Sequence, residues 1–125
     1  MNFFGHAVVA GWFEREPHYV LGSMLPDFAT MSGTRLASVS DPRVAAGVTL
    51  HLRTDDVFHA SPTFLALQAV AHQALDAQGV GWGTARAVAH VGTELLLDGV
   101  LLSRHASEPY VEALDAAHAL TDQDP

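Results

Sequence analysis

His51, Asp55 and His59 recur at intervals of four residues, and so do His90, Glu94 and Asp98. In a helix turning about 100° per residue, each triple occupies only about 80° of the wheel. Leu97 and Leu101 share the stripe of the second triple, with Val91, Leu95 and Leu102 beside it; Val44, Val48 and Leu52 share the face of the first. The imidazoles and carboxylates therefore follow the apolar sides, whereas Thr49, Arg53 and Asp56 fall elsewhere. Carboxylates four residues apart repel one another, and burying them without partners costs several kcal/mol. A bound cation removes both penalties. A solvated or hydrogen-bonded polar stripe explains one such triple as well as a metal does, but two triples on apolar faces favour a mononuclear or dinuclear centre inside a helical bundle.

The elements that must carry these rows are marked by small polar residues before proline or before apolar runs. Asp41-Pro42 opens a helix to about Ala60, and Ser61-Pro62 opens another to about Ala77. The glycines in Gly79-Val80-Gly81-Trp82-Gly83 break the chain, and Thr84 is expected to cap a helix to about Ser103. Ser107-Glu108-Pro109 starts a further helix to about Leu120, with 121–125 expected to fray. Upstream, Asn2 to Trp12 and His18 to Met24 read as shorter helices, followed by a loop over 29–40. Strand signals are weak. The expected fold is an all-α, single-domain helical bundle over residues 1–125.

Composition narrows the chemistry. The chain has 125 residues, six arginines, no lysine, 14 acids, no cysteine and a formal charge of -8, with 49% hydrophobic residues. So acidic a surface repels phosphate backbones and anionic membranes, which argues against nucleic-acid and membrane partners. Without cysteine there is no disulfide framework, thiolate zinc site or cysteine nucleophile, so any metal must use His, Asp or Glu. The apolar stretch from Phe3 to Phe13 lacks a basic start and runs into Glu14-Arg15-Glu16, so it reads as a buried helix rather than a signal peptide. No apolar run reaches the roughly 20 residues of a membrane span, and a cytoplasmic location is expected. His72 and His118 read as surface or core polar groups, His18 as the start of a helix after a proline, His105 as part of a turn, and Trp12 and Trp82 as core or interface contacts.

Three stretches in order carry a family resemblance: Met1-Asn2-Phe3-Phe4-Gly5-His6, then Leu21-Gly22-Ser23-Met24-Leu25-Pro26-Asp27-Phe28, then Gly47-Val48-Thr49-Leu50-His51-Leu52-Arg53-Thr54-Asp55. They are similar to the Asn-Phe-x-x-His, Gly-Asn-x-x-x-Asp-Phe and Gly-Ile-x-x-His-x-x-x-Asp segments of the acyl carrier protein phosphodiesterase family, itself similar to HD-domain metal hydrolases. Ser23 stands in place of the family's Asn, Thr49 in place of a usual His, and Gly99 follows Asp98 where the family has His. The resemblance implies an HD-domain-like bundle with His6, Asp27, His51 and Asp55 in the site. It also implies a divalent metal, typically manganese, and hydrolysis of the phosphodiester between phosphopantetheine and a serine of acyl carrier protein.

Residue pattern and resemblance together give one expectation: a metal-dependent phosphoester hydrolase in which Asp27, His51, Asp55, His90, Glu94 and Asp98 hold one or two cations. With N and O ligands only, manganese, iron, zinc and magnesium are all admissible. His6 or His59 would protonate the leaving group, and Arg53 would pair with a carboxylate or hold the substrate phosphate. The substrate would be a small-molecule or phosphopantetheine-type phosphoester. The competing class is a non-catalytic helical protein with buried polar networks or a structural metal, completing its core as a homodimer or on a protein partner.

Overall fold

Proline sets where three of the helices begin. Its fixed φ and missing N–H suit the first helical turn, and Pro17, Pro42 and Pro62 each follow a capping residue. The Glu16 carboxylate accepts from the His18 and Tyr19 backbone N–H groups, and the Asp41 carboxylate accepts from Arg43 N–H at 2.8 Å. The computed structural model describes residues 1–121. Six helices follow in order: α1 Phe3–Phe13, α2 Pro17–Met31, α3 Pro42–His59, α4 Pro62–Ala77, α5 Trp82–Arg104 and α6 Glu108–Thr121. No strand occurs among the described residues, so the fold is all-α. The fraying expected at the C-terminus concerns 122–125, which lie outside the described residues.

Two boundaries differ from expectation. α2 continues through Pro26 to Met31 instead of stopping near Met24. A proline inside a helix forfeits one backbone bond, but Leu25 and Phe28 pack on the core and Phe28 stacks on Phe3 at 4.7 Å between centroids, which offsets that loss. α5 begins at Trp82, with Gly81 at the cap, rather than after Thr84. Its first turn closes through Ala85 N–H to Gly81 C=O, and Trp82 packs between His72 and Arg86.

α2 is central: α1, α3 and α6 all pack against it, α4 and α5 pair with each other, and α1 also touches α5. Ala7, Ala10, Val20, Leu21, Met24 and Ala113 form the buried core. The α2–α3 crossing is the closest approach. A Cβ on Gly22 would collide with the Val44 carbonyl, and one on Gly47 would collide with the Tyr19 carbonyl. Two glycines thus let the helices meet backbone to backbone. The apolar circumference of α5 is not wholly covered: Val91, Leu95, Leu96 and Leu102 are exposed. No described helix is long and apolar enough to cross a membrane.

Candidate metal centre

The α2–α3 contact decides which side chains meet. Ser23 follows Gly22, and its carbonyl accepts from His51 Nδ1 at 2.8 Å. A carbonyl can only accept, so Nδ1 carries a proton, and Nε2 is the nitrogen that faces the carboxylates and would take a metal once the ring is neutral. That Nε2 lies 3.2 Å from Asp55 Oδ2, one helical turn away, and 3.7 Å from Asp27 Oδ1 on α2. α1 delivers the fourth member. His6, with 1% of its surface exposed, stacks on His51 and places Nε2 at 3.1 Å from Asp55 Oδ1 and 3.8 Å from Asp27 Oδ2.

These four groups offer ligand atoms all within 4.8 Å of one another. Neither ring nitrogen of His6 completes a hydrogen bond, and Asp27 Oδ2 is also buried without one. Buried polar atoms without partners are rare and costly. Two imidazoles and two carboxylates that converge while leaving such atoms unsatisfied fit a divalent cation chemically.

Charge arranges itself accordingly. Burial pushes the Asp27 carboxyl above its ordinary range, with the Asp55 charge adding to the rise and His51 and His6 opposing it. Burial also works against ionisation of Asp55, but His51, His6 and the Met1 ammonium overcome it and hold Asp55 well below the usual carboxylate range. Burial would lower the His51 imidazole, yet its bonds to Asp55 and Ser23 and the two acidic charges raise it.

A second group lies beside the first. His59 Nε2 and His90 Nε2 lie 3.0 and 2.9 Å from the same Glu94 oxygen, and these ligand atoms again fall within 4.8 Å of one another. The Met1 ammonium joins the two groups, at 2.9 Å from Asp55 Oδ1, 3.1 Å from Glu94 Oε1 and 3.2 Å from His59 Nε2. Burial would raise Glu94, but His59, the ammonium and His90 together lower it.

The rows expected on α3 and α5 therefore divide. His51 and Asp55 join His6 and Asp27, whereas His59 joins His90 and Glu94. Asp98 lies outside both groups: its Oδ1 accepts from Gly5 N–H at 3.1 Å, and burial raises its carboxyl. Eight residues of helix span about 12 Å, more than one ion's ligand shell, so a complete row cannot serve one centre. The two imidazoles considered as leaving-group acids both sit in ligand-type groups: His6 is enclosed, and His59 Nε2 is occupied by Glu94 and the ammonium. Arg53 belongs to neither group. It is exposed and lines a largely apolar cavity of about 930 Å³ between α1 and α3, which Met1, Trp12, Val57 and Phe58 also line.

Sequence reasoning passed over Arg86 and Gln68. Arg86 shares a cavity of about 470 Å³ with His59, Phe64, Gln68 and His90. Its signal was available, because Arg86 extends the four-residue row of α5 one turn ahead of His90. Gln68 approaches His90 Nδ1 at 3.4 Å from α4, a pairing that only the tertiary fold reveals.

An all-helical chain that gathers imidazoles and carboxylates into two groups, each able to hold a metal ion, defines a class of candidate metal-site bundles. The chain matches the acyl carrier protein phosphodiesterase family over residues 1–80, and it belongs to that family. Comparison with curated proteins and with solved structures finds no match.

Proposed function

We propose that the chain is a divalent-cation-dependent phosphoester hydrolase acting on a phosphopantetheine-type phosphodiester, with His6, Asp27, His51 and Asp55 as the metal ligands. The observation that carries this reading is the convergence of two stacked, buried imidazoles on two carboxylates, with His6 Nδ1 and Asp27 Oδ2 buried without hydrogen-bond partners. When bound, a divalent cation supplies charge neutralisation at the phosphoryl oxygens and acidifies a water.

The chain's own residues do the positioning. Ser23 holds His51 in the tautomer that presents Nε2. Met1 lies both against Asp55 and in the wall of the α1–α3 cavity, and on that adjacency we take the cavity as the substrate's approach. Its apolar wall accommodates a slender organic arm, and its volume falls in the range of ligand pockets. Arg53 in the same wall is the group for the substrate's phosphate, fixing it through paired N–H donors. Phosphoryl transfer asks chiefly for positioning and charge stabilisation, so neither His6 nor His59 is assigned to the leaving group. In the family's name the carrier protein is the substrate, and we take the phosphopantetheinyl carrier as the first substrate to test. Manganese is the first metal to test, and a cytoplasmic location follows from the same reading.

The test is hydrolysis of a phosphopantetheinyl carrier protein and of a generic phosphodiester by wild type and Asp55→Asn, each with its metal content measured. Metal and hydrolysis lost together, with helical content kept, is the expected result. Metal-independent hydrolysis, or no hydrolysis by metal-loaded wild type, would overturn it. One observation favours the second reading, a non-catalytic protein that completes its core on another chain: the uncovered Val91, Leu95, Leu96 and Leu102 of α5. A homodimer that binds metal without hydrolysing either substrate would establish that reading instead.

A further inference from the structure

The second group offers its own donor set, distinct from the four ligands on which the phosphoester reading rests. His59 ends α3, whereas His90 and Glu94 are successive turns of α5, beyond the family-matched stretch. Their Nε2, Nε2 and Oε1 atoms converge, with Glu94 only 12% exposed and the imidazoles half-exposed. Both imidazoles crowd one carboxylate oxygen, and the Met1 ammonium has entered the same space, touching His59 and Glu94. A positive charge is therefore already drawn to this point.

Two further features fit a metal rather than a simple ion pair. The His90 Nδ1 faces the Gln68 amide. Turning that amide over brings its carbonyl to Nδ1–H, the outer bond that fixes Nε2 as the ligand nitrogen. On the other side, His59 and His90 both line the cavity that holds Arg86, so an ion held by these three ligands would face that cavity.

We propose that His59, His90 and Glu94 form a second divalent-cation site, suited to a transition ion such as Zn²⁺ or Fe²⁺ rather than Mg²⁺ or Ca²⁺. Two imidazoles and one carboxylate are the ligand set that such ions share in open sites, while the hard cations take oxygen. The Met1 ammonium is the group an incoming ion displaces.

The experiment is calorimetric titration of the chelator-stripped, full-length chain with Zn²⁺, read as ions bound per chain, with circular dichroism as the folding control. Wild type is expected to bind two ions, His90→Gln one and Asp27→Asn one, with Mg²⁺ failing to replace the ion that His90→Gln loses. If wild type binds a single ion that survives Asp27→Asn but not His90→Gln, the second site stands and the first-group reading fails. If His90→Gln binds as many ions as wild type, or if Asp27→Asn abolishes all binding, the proposal is overturned. Should His90→Gln not fold, Glu94→Gln, nearly identical in shape, carries the same expectations.

Discussion

The His6 and His51 rings stack at 3.9 Å between centroids, 23° from parallel, and both bring Nε2 to the Asp27–Asp55 carboxylates. A cation at this point binds imidazole nitrogen as a lone-pair donor, so its binding is coupled to release of the proton that His51 holds on Nε2.

Because its bonds and neighbouring acids raise His51, protons compete with metal at and above the ordinary imidazole value of about 6.5. Apparent metal affinity at the first group is expected to rise between about pH 6 and pH 8, by up to about tenfold per pH unit for each proton released. Calorimetry of His90→Gln in buffers of different ionisation enthalpy measures that release. A pH-independent affinity would contradict it.

Asp27→Asn separates the cost of the site from its use. Burial is what raises the Asp27 carboxyl, so removing its charge relieves the metal-free protein. The expected gain is about 2–5 °C in Tm, the shift that about 1 kcal/mol produces in a chain of this size. Hydrolysis should fall by at least about 100-fold, beyond the 10–100-fold typical of groups that only support a ligand. Thermal melts with chelator, alongside steady-state rates, check both halves.

Gly22→Ala and Gly47→Ala each place a methyl into backbone of the facing helix, where no side chain can yield. Overpacking of this kind costs about 1–3 kcal/mol or more. Each variant is therefore expected to lower the denaturant midpoint and weaken first-group metal binding together, since the displaced helices carry Asp27, His51 and Asp55. Gly11→Ala, with open space around its Cβ, is the control and should do neither.

Glu16 gives a pH dependence of stability with a definite sign. Burial opposes its ionisation, but His18, the Tyr19 N–H and Arg43 outweigh that and lower its carboxyl. A lowered folded-state value adds stability above the ordinary carboxylate range, and that stability disappears as pH falls through it. Glu16→Gln should therefore lower Tm at neutral pH and converge on wild type near pH 3. A difference that persists in acid would show that packing, not charge, is at stake.

Arg53→Ala tests the cavity between α1 and α3. If the guanidinium holds substrate phosphate equally in ground and transition states, KM should rise about tenfold or more, with kcat nearly unchanged. A fall in kcat alone would place Arg53 outside substrate binding.

Much of this fold was legible because prolines and caps announce themselves locally: Asp41-Pro42 and Ser61-Pro62 begin helices where their chemistry requires. The extension of α2 through Pro26 was not legible, because it depends on Phe28 meeting Phe3 across the core. The same divide runs through the candidate site. Helical spacing shows that His51 and Asp55 share a face, as do His90 and Glu94. It cannot show that His59 parts from His51 to join α5, or that Asp98 turns to Gly5, because those choices are made by where a second helix crosses. Helix periodicity also says nothing of His6 and Asp27, each a lone candidate that the family motif singled out.

Gly5 N–H, in the opening turn of α1, is held by a carboxylate from beyond the family-matched stretch. His6 is its neighbour, so the reach of one imidazole is governed from a distant part of the polypeptide. Trimming to 1–80 would retain every side chain of the first group and yet leave His6 on an untethered hook. A unit that keeps this tie must extend past Asp98.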